Sequence, residues 1–574
     1  MKLYLILVVF IIFQTVKTNS QSSFQKIFNS PIVTINGFSV NSAWGDYDND
    51  GYQDLAITQY SDACPSCNYP ILLFHNNGDG TFSQVTNNAI SQENLNSIGI
   101  SWGDYDNDGL LDLFIGTRLS GNNVLFHNDG NGNFTKITNS VIASEGGHTT
   151  SCSWIDYDRD GWLDLFVANS DVNCYLYHNN GNGTFTKITT GPIVNDLNAC
   201  RGSSWGDFDN DGWSDLFVVT YQGSNDLLYH NNGNGTFTKI TNGPVVNDGM
   251  WGTQCCWGDY DNDGYLDLFV TNQNGANRLY HNEGNGTFSI SPVLPSQAPG
   301  GFLGACWGDY DNDGFIDLHM GKVPGTSVLY KNNLGTSFSY NSSEPMNNES
   351  CYDGNWGDFT NNGRLNLFVS YSPNNSLYQN VGTVGNYLIC KLHGCQSNKF
   401  GIGARIIVKA GNLREIREVN DGNGNGFMLP QHFGLGNNNM IDSLIVLWPY
   451  GNTERKQVLR NISVNQTITV DECAIGIQPI SSEIPREFSL YQNYPNPFNP
   501  STKIKFDLPG SSVAQTFLSV YNILGKEIAV LINQPMQPGS YEVEWNASNY
   551  PSGVYFYKLT SGSFTDTKKL ILLK

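Results

Sequence analysis

Positive charge is scarce in this chain: 30 Lys and Arg stand against 52 Asp and Glu, a formal net charge of −22. Such a chain lacks the counter-charges that a phosphate backbone needs, so nucleic acid and anionic membranes are excluded as partners. Charged residues of both signs make up only 14%, which fits neither a disordered chain nor a helical enzyme. The apolar run Leu3–Phe13 is too short to span a bilayer, and no later segment is long and apolar enough. No transmembrane segment is expected. No acid–base or nucleophile set stands out either. G-x-S-x-G occurs at Gly99–Gly103 and Gly202–Gly206, but Ser101 and Ser204 precede a repeated Trp instead of sitting in a strand–turn–helix elbow. The expectation is a protein that is not an enzyme.

What is abundant points the same way. With 61 Gly and 13% aromatics, the chain reads as all-β and secreted. Lys2, the apolar run and the small residues Thr18 and Ser20 form a secretory signal over residues 1–20. Of twelve Cys, Cys64 and Cys67 form a CPSC loop, either a small staple or two free thiols. A redox motif would need a helix start, and a zinc site a second Cys or His pair nearby. Cys152, Cys255, Cys256 and Cys306 sit just before a repeated Trp and read as small apolar strand residues.

The dominant feature is a string, WGDYDNDG, that recurs with small changes at Trp44, Trp102, Trp154, Trp205, Trp257, Trp307 and Trp356, at spacings of 58, 52, 51, 52, 50 and 49. A period of this length marks a propeller or solenoid array. In residues 99–138 an apolar strand reaches Trp102 and an acidic loop follows. Strands at Leu111–Gly116 and Val124–His127, an Asn-Gly turn, and a strand at Phe134–Thr138 complete the unit. Four short antiparallel strands per unit make one propeller blade, and seven units predict seven blades. The last unit lacks its fourth strand. Phe24–Val33 resembles Phe237–Val246, so the N-terminal strand is expected to close the ring against residues 365–380.

The acidic loop carries the chemistry. In the first copy Asp46, Asp48 and Asp50 occupy positions 1, 3 and 5. Gly51 permits the sharp turn, Tyr52 offers a backbone carbonyl at position 7, and Asp54 follows at position 9. That is an oxygen cage for Ca²⁺. The pattern recurs with Asp104, Asp106, Asp108, Leu110 and Asp112, and with Asp156, Asp158, Asp160, Trp162 and Asp164. It recurs again with Asp207, Asp209, Asp211, Trp213 and Asp215, and with Asp259, Asp261, Asp263, Tyr265 and Asp267. The sixth copy has Asp309, Asp311, Asp313, Phe315 and Asp317. About six Ca²⁺ sites are expected, structural rather than catalytic, since the cage leaves no open position. The seventh copy, Asp358, Thr360, Asn362 and Asn366, keeps one carboxylate. Weak or no Ca²⁺ is expected there, with hydrogen bonds holding the loop. Transition metals would require His or Cys, and the loops contain neither.

His75, His127, His178, His230 and His281 end the third strand of five units, with Lys331 and Gln379 in their place in the last two. They read as polar strand ends without a metal role. In an up-and-down sheet, alternate loops share an end, which puts the Asp loops with the Asn-Gly turns. The opposite end carries the unlike loops, residues 58–70, 145–150, 247–254, 296–304 and 344–354, where binding usually resides. Tyr60, Tyr69, Trp251, Phe302 and Tyr352 are candidate contacts there, with local packing as their alternative role.

These repeats resemble the FG-GAP/VCBS repeats of the integrin α-subunit propeller and of bacterial surface proteins, over about residues 24–380. The resemblance implies a Ca²⁺-loaded seven-bladed propeller with metal loops between the first and second strands. GIGARIIVKAGNLREIREVNDGNGNGF followed by HFGLGNNNMIDSLIVLWPYG resembles the ASPIC/UnbV domain, with strands expected at Ala404–Lys409, Glu415–Val419 and Ser443–Trp448 and a turn at Asp421–Gly426. PREFSLYQNYPNPFNPSTKIKFDLP, PSGVYFYKLTSG and TKKLILLK resemble a type IX secretion sorting domain, which implies a β-sandwich and the type IX export machinery as a partner. The expected organisation is a signal over 1–20, a propeller over 21–385, an ASPIC/UnbV-like β domain over 386–472, a linker over 473–485 and a sorting β-sandwich over 486–574. The expected function is a secreted or bacterial cell-surface Ca²⁺-binding module for adhesion to an extracellular protein or glycan. The alternatives are a propeller-fold lyase or glycan hydrolase, and a lectin, using the variable-loop end.

Overall fold

The computed structural model describes residues 22–574 apart from 62–63, 65–66, 119–120, 197–198, 295–300, 421–428, 452–454, 473–477, 482–483, 511–513, 537 and 548–549. The expected signal and the expected turn at 421–426 lie outside the described residues. The described chain is almost wholly β.

Repeated four-stranded antiparallel sheets of a β-propeller occupy Phe24–Asn380, and seven such sheets are described. The second is typical: Ser97–Gly103, Asp112–Thr117, Val124–Gly130 and Asn133–Ile137, paired in chain order. The last sheet takes Asp353–Gly357, Asn366–Ser370 and Ser376–Asn380 from its own repeat. Its fourth strand is Phe24–Ile27, in the register Phe24↔Asn380 to Ile27↔Leu377. The outer edge of the last repeat is therefore paired, as expected.

The first strands of neighbouring sheets touch one another, and the repeated Trp-Gly pair shows how. The Trp indole N–H reaches back to the preceding sheet: Trp102 donates to Ala43 O at 3.2 Å, Trp257 to Ser204 O at 3.1 Å, and Trp44 to Asn355 O at 3.4 Å across the closure. The following Gly leaves room for the next Trp, since a Cβ on Gly45 would stand 2.8 Å from the Trp102 ring. The third sheet has Ile155 in that place. There Trp205 donates to Ser153 Oγ at 3.0 Å, and Ile155 joins the core shared with residues 388–470.

Residues 386–471 form a three-stranded sheet, Gln431–Gly436, Asn386–His393 and Gln466–Asp471, and a four-stranded one, Leu413–Glu418, Arg405–Ala410, Met440–Trp448 and Arg455–Ser463. The three expected strands are present within a residue or a few at each end. Gln478–Ser481, inside the segment expected as a linker, pairs instead with the strand Gly539–Asn546. Beyond it, two four-stranded sheets share one core that includes Phe506, Trp545, Leu518 and Tyr557. Cys64 and Cys67 form a disulfide, the staple alternative. Cys152, Cys255, Cys256 and Cys306 are buried strand residues, as expected.

Candidate metal centres

Each Asp-rich loop joins the strand ending in Trp-Gly, or Trp154-Ile155 in the third, to the strand that begins at the position-9 carboxylate. Local hydrogen bonds shape it. In the second loop Asp104 Oδ1 accepts from the Asp108 amide at 3.0 Å and Asp104 Oδ2 from the Gly109 amide at 2.8 Å. Asp108 Oδ1 accepts from the Leu110 amide at 2.9 Å. The loop must turn left-handed at Asn107 and Gly109 (φ 58° and 89°), where Asn and Gly are tolerated best. The sixth loop repeats this set at Asp309, Asp313, Gly314 and Phe315. Tyr52, Trp162, Trp213 and Tyr265, all at position 7, lie over Gly78, Gly181, Gly233 and Gly284 of the Asn-Gly turns. The Asp-rich loops and those turns therefore share one end, as expected.

The position-9 carboxylates are fully buried. Asp54 Oδ1 accepts from the Asn76 amide at 2.8 Å, and Asp54 Oδ2 from the Tyr47 amide at 3.2 Å. One oxygen each of Asp48, Asp106, Asp158 and Asp311, at position 3, is buried with no hydrogen-bond partner. Burial, reinforced by the neighbouring carboxylates, lifts Asp104 to about 8 and Asp54 to about 9. Burial likewise lifts Asp112, Asp164, Asp215 and Asp267 to about 7. Crowded carboxylates with orphaned oxygens and a strong appetite for positive charge are what a hard divalent cation satisfies. These Asp and His groups could hold a metal ion.

The strand-end histidines face the loops of their own sheets. His75 Nδ1 lies 3.2 Å from Asp48 and 3.3 Å from Asp54, and His127 Nδ1 lies 3.4 Å from Asp106 and 3.2 Å from Asp112. His178, His230 and His281 repeat the arrangement. The third strand returns beside its own loop, so a residue some twenty positions away enters the carboxylate cluster. In the sixth loop Lys331 pairs with both Asp311 and Asp313. In the seventh, Asp358 accepts from the amides of Asn362 and Gly363 and from Thr360 Oγ1, so hydrogen bonds do hold that loop.

Two asparagines join the loops into a ring. In six of the seven loops a position-4 Asn donates to the Gly carbonyl of the next loop, as Asn49 to Gly109 at 3.0 Å, Asn262 to Gly314 at 2.8 Å, and Asn361 back to Gly51 at 2.8 Å, while the third loop has Arg159 there. The Asn after each strand-end His crosses the other way. Asn128 donates to Tyr47 O, Asn231 to Tyr157 O, and Asn76 to Phe359 O, at 2.8–2.9 Å. That second Asn was not singled out in the sequence, although it is present in all seven copies while the His is in five.

Residues 386–471 sit on this same end. Arg405 bonds Glu418 Oε1 at 2.5 and 3.0 Å, reaches Asp207 O at 2.7 Å and contacts Asn210 Oδ1. Glu418 Oε2 accepts from the Asp207 amide at 3.0 Å. Gly451 donates to Arg159 O, Lys399 to Asn107 Oδ1, and Gly436 to Asn312 O. His432 lies 3.2 Å from Gly363 O.

Family models match the chain in three stretches. FG-GAP-like repeats match at residues 46–115, 106–167, 156–218, 207–270 and 259–320, each opening on an Asp of a loop. ASPIC and UnbV matches at 394–475, and the secretion system C-terminal sorting domain at 492–573. The chain is built of FG-GAP-like repeats, an ASPIC/UnbV domain and a type IX sorting domain. It is secreted or displayed at the cell surface, as the sorting domain indicates, and no helix among the described residues is long and apolar enough to cross a membrane. Cartilage acidic protein 1 of Mus musculus is 25% identical over 225 residues, 33% of this chain and 33% of that protein. The Homo sapiens protein of that name is 25% identical over 33% of this chain and 32% of its own. The matches thus span about a third of those relatives. Among solved structures, Sqt1 of Saccharomyces cerevisiae is 13% identical with a TM-score of 0.39, over 59% of this chain and 83% of that one.

At the other end of the FG-GAP-like region the aromatic candidates divide. Trp251 is 36% exposed and meets Tyr221 edge-on at 5.1 Å. Tyr69 packs on Phe38, and Tyr352 on Tyr371. Phe302 is only 2% exposed, beneath Lys322, and has the local packing role. Ser101 and Ser204 are buried in mid-strand.

Proposed function

We propose that the FG-GAP-like region is a closed seven-bladed propeller whose Asp-rich loops are loaded with Ca²⁺. We further propose that the exported protein is a non-catalytic binding or adhesion module, with a protein or glycan as its ligand on the end opposite those loops. The observation that carries the choice of end is the ASPIC/UnbV domain docked across the metal-loop end through Arg405, Glu418, His432 and Gly451. The opposite end is where the loops differ. The sorting domain reads as a β-sandwich delivered by the type IX machinery.

Support for Ca²⁺ over a transition metal comes from the strand-end position. His in five copies, Lys331 in the sixth and Gln379 in the seventh share the ability to donate a hydrogen bond to the loop carboxylates. Lys cannot ligate a metal while protonated, so the position calls for a donor. The oxygens are left to the ion, and oxygen ligands suit Ca²⁺. Elemental analysis of the purified protein after dialysis with Ca²⁺, Mn²⁺ and Zn²⁺ in competition tests this, and several equivalents of calcium per chain are expected. A protein and glycan array probed with the Ca²⁺-loaded and chelated forms, and with variants in which the 58–70 or 247–254 loops are replaced, tests the binding reading. Binding indifferent to those loops would dismiss it.

A further inference from the structure

The end opposite the metal loops holds an axial well of about 320 Å³, at the small end of ligand-pocket sizes. It is built where the starts of the first strands converge, joined by the ends of several second strands. Two arginines enter it, Arg118 from the second sheet and Arg201 from the fourth. Each guanidinium lies over a tyrosine ring: Arg118 over Tyr60 at 5.3 Å and Arg201 over Tyr221 at 4.2 Å. Stacking fixes the plane of a guanidinium and leaves its N–H edge for a ligand. Nε and Nη1 of Arg118 are buried with no hydrogen-bond partner, and among the described residues no carboxylate is paired with it. In a chain of net charge −22, two arginines in one well, one of them without an acidic partner, form a local inversion of sign.

The wall carries a second unsatisfied group. Asp353 is 6% exposed, and its carboxylate has no side-chain partner. Burial pushes its carboxyl well above the usual range, which favours the protonated form that can donate to a hydroxyl. The rest of the polar lining is neutral, with the hydroxyls of Ser203 and Thr253 and the amides of Gln254 and Gln273. Val40, Ile98, Leu303 and Tyr352 supply an apolar part of the wall.

We propose that this axial well binds a carboxylate-bearing sugar, a hexuronate unit at the end of an acidic glycan, with Arg118 and Arg201 holding the carboxylate and Asp353 and the neutral side chains holding the hydroxyls. This rests on the reading of that end as the binding end. A peptide carboxylate is the weaker fit, because the hydroxyls and amides of the wall match a polyhydroxylated ring better than a run of acidic side chains. A compact well open at one side suits a polyhydroxylated ring end.

Calorimetric titration of the mature, Ca²⁺-loaded protein tests it, with three probes: a glucuronate-containing oligosaccharide, its carboxyl-reduced neutral form, and an Asp/Glu-rich peptide. The acidic sugar is expected to bind about tenfold or more tightly than the neutral one, and Arg118→Gln or Arg201→Gln to weaken it by a similar factor. The melting temperature of each variant should stay within a degree or two of the parent, which separates lost binding from lost folding. Equal binding of the neutral sugar, tighter binding of the peptide, or unchanged binding by both variants would overturn the proposal. A ligand that survives both substitutions but is lost on loop replacement would overturn it while leaving the binding end intact. Absence of any ligand at that end would remove both readings.

Discussion

The loops after Gly45, Gly103 and their counterparts are near copies of one another, whereas residues 58–70, 145–150 and 247–254, at the opposite end of the same sheets, share no pattern. The near-copies are bonded to each other around the ring through Asn49, Asn262, Asn361 and their equivalents, and the ASPIC/UnbV domain lies on them. Equivalent loops spread around a ring cannot combine into one site, so repetition there serves cohesion. At the other end the positions four residues before each repeated Trp converge on the axis as Val40, Ile98, Thr150, Arg201, Thr253, Leu303 and Tyr352. Six residue types among seven equivalent positions make a single asymmetric well. In a repeat protein, a unique site arises where equivalent positions meet, and only if the repeats differ there.

The comparison breaks most visibly if the like end is not held by metal. Chelation with EDTA should lower the melting temperature by roughly 10 °C or more relative to excess Ca²⁺, since each site at ten times its dissociation constant contributes about 1.4 kcal/mol. Superimposable calorimetric traces would refute that. Deleting residues 22–33 strips the fourth strand from the last sheet and uncovers Ser376–Asn380. We expect a loss of roughly 3–5 kcal/mol and concentration-dependent aggregation, followed by denaturant melts and light scattering.

Arg405→Ala leaves Glu418 buried beside Asp207 without its cation and should weaken docking by about 3 kcal/mol. Hydrogen exchange is expected to quicken at the Asp207, Gly436 and Gly451 amides while the sheet cores stay protected. Asn231→Ala removes a buried inter-sheet amide and should cost about 1–3 kcal/mol. Asn234→Ala, in the exposed turn, should cost under about 0.5 kcal/mol by the same melts.

A pH-dependent effect concerns ring closure. Glu349 is partly buried, which alone would raise its carboxyl, but hydrogen bonds from Lys26, Tyr378 and Ser376 outweigh this and hold it below the usual range. A carboxylate with a depressed folded value stabilises above its unfolded value and loses that contribution as pH falls through the folded one. Glu349→Gln should therefore flatten the decline in melting temperature between neutral and acid pH, at a cost of about 1 kcal/mol near neutrality.

The number of repeat units, the four strands of each, the Asp spacing and the match of Phe24–Val33 to the missing strand could all be read along the chain, because each is periodic or spans a few residues. The hydrogen-bonded seventh loop was legible for the same reason. That His75 and its equivalents lie beside the loop was not legible, because their place depends on where the third strand returns in the folded sheet. The Asn128 bond to Tyr47, the Arg405 plug on Asp207, the burial of Phe302 and the meeting of Arg118 with Arg201 join residues tens to hundreds of positions apart. Local propensity and ligand spacing are properties of short segments, so the linear order of residues carries them. Distances across a ring follow only from its closure and from the packing of one domain upon another.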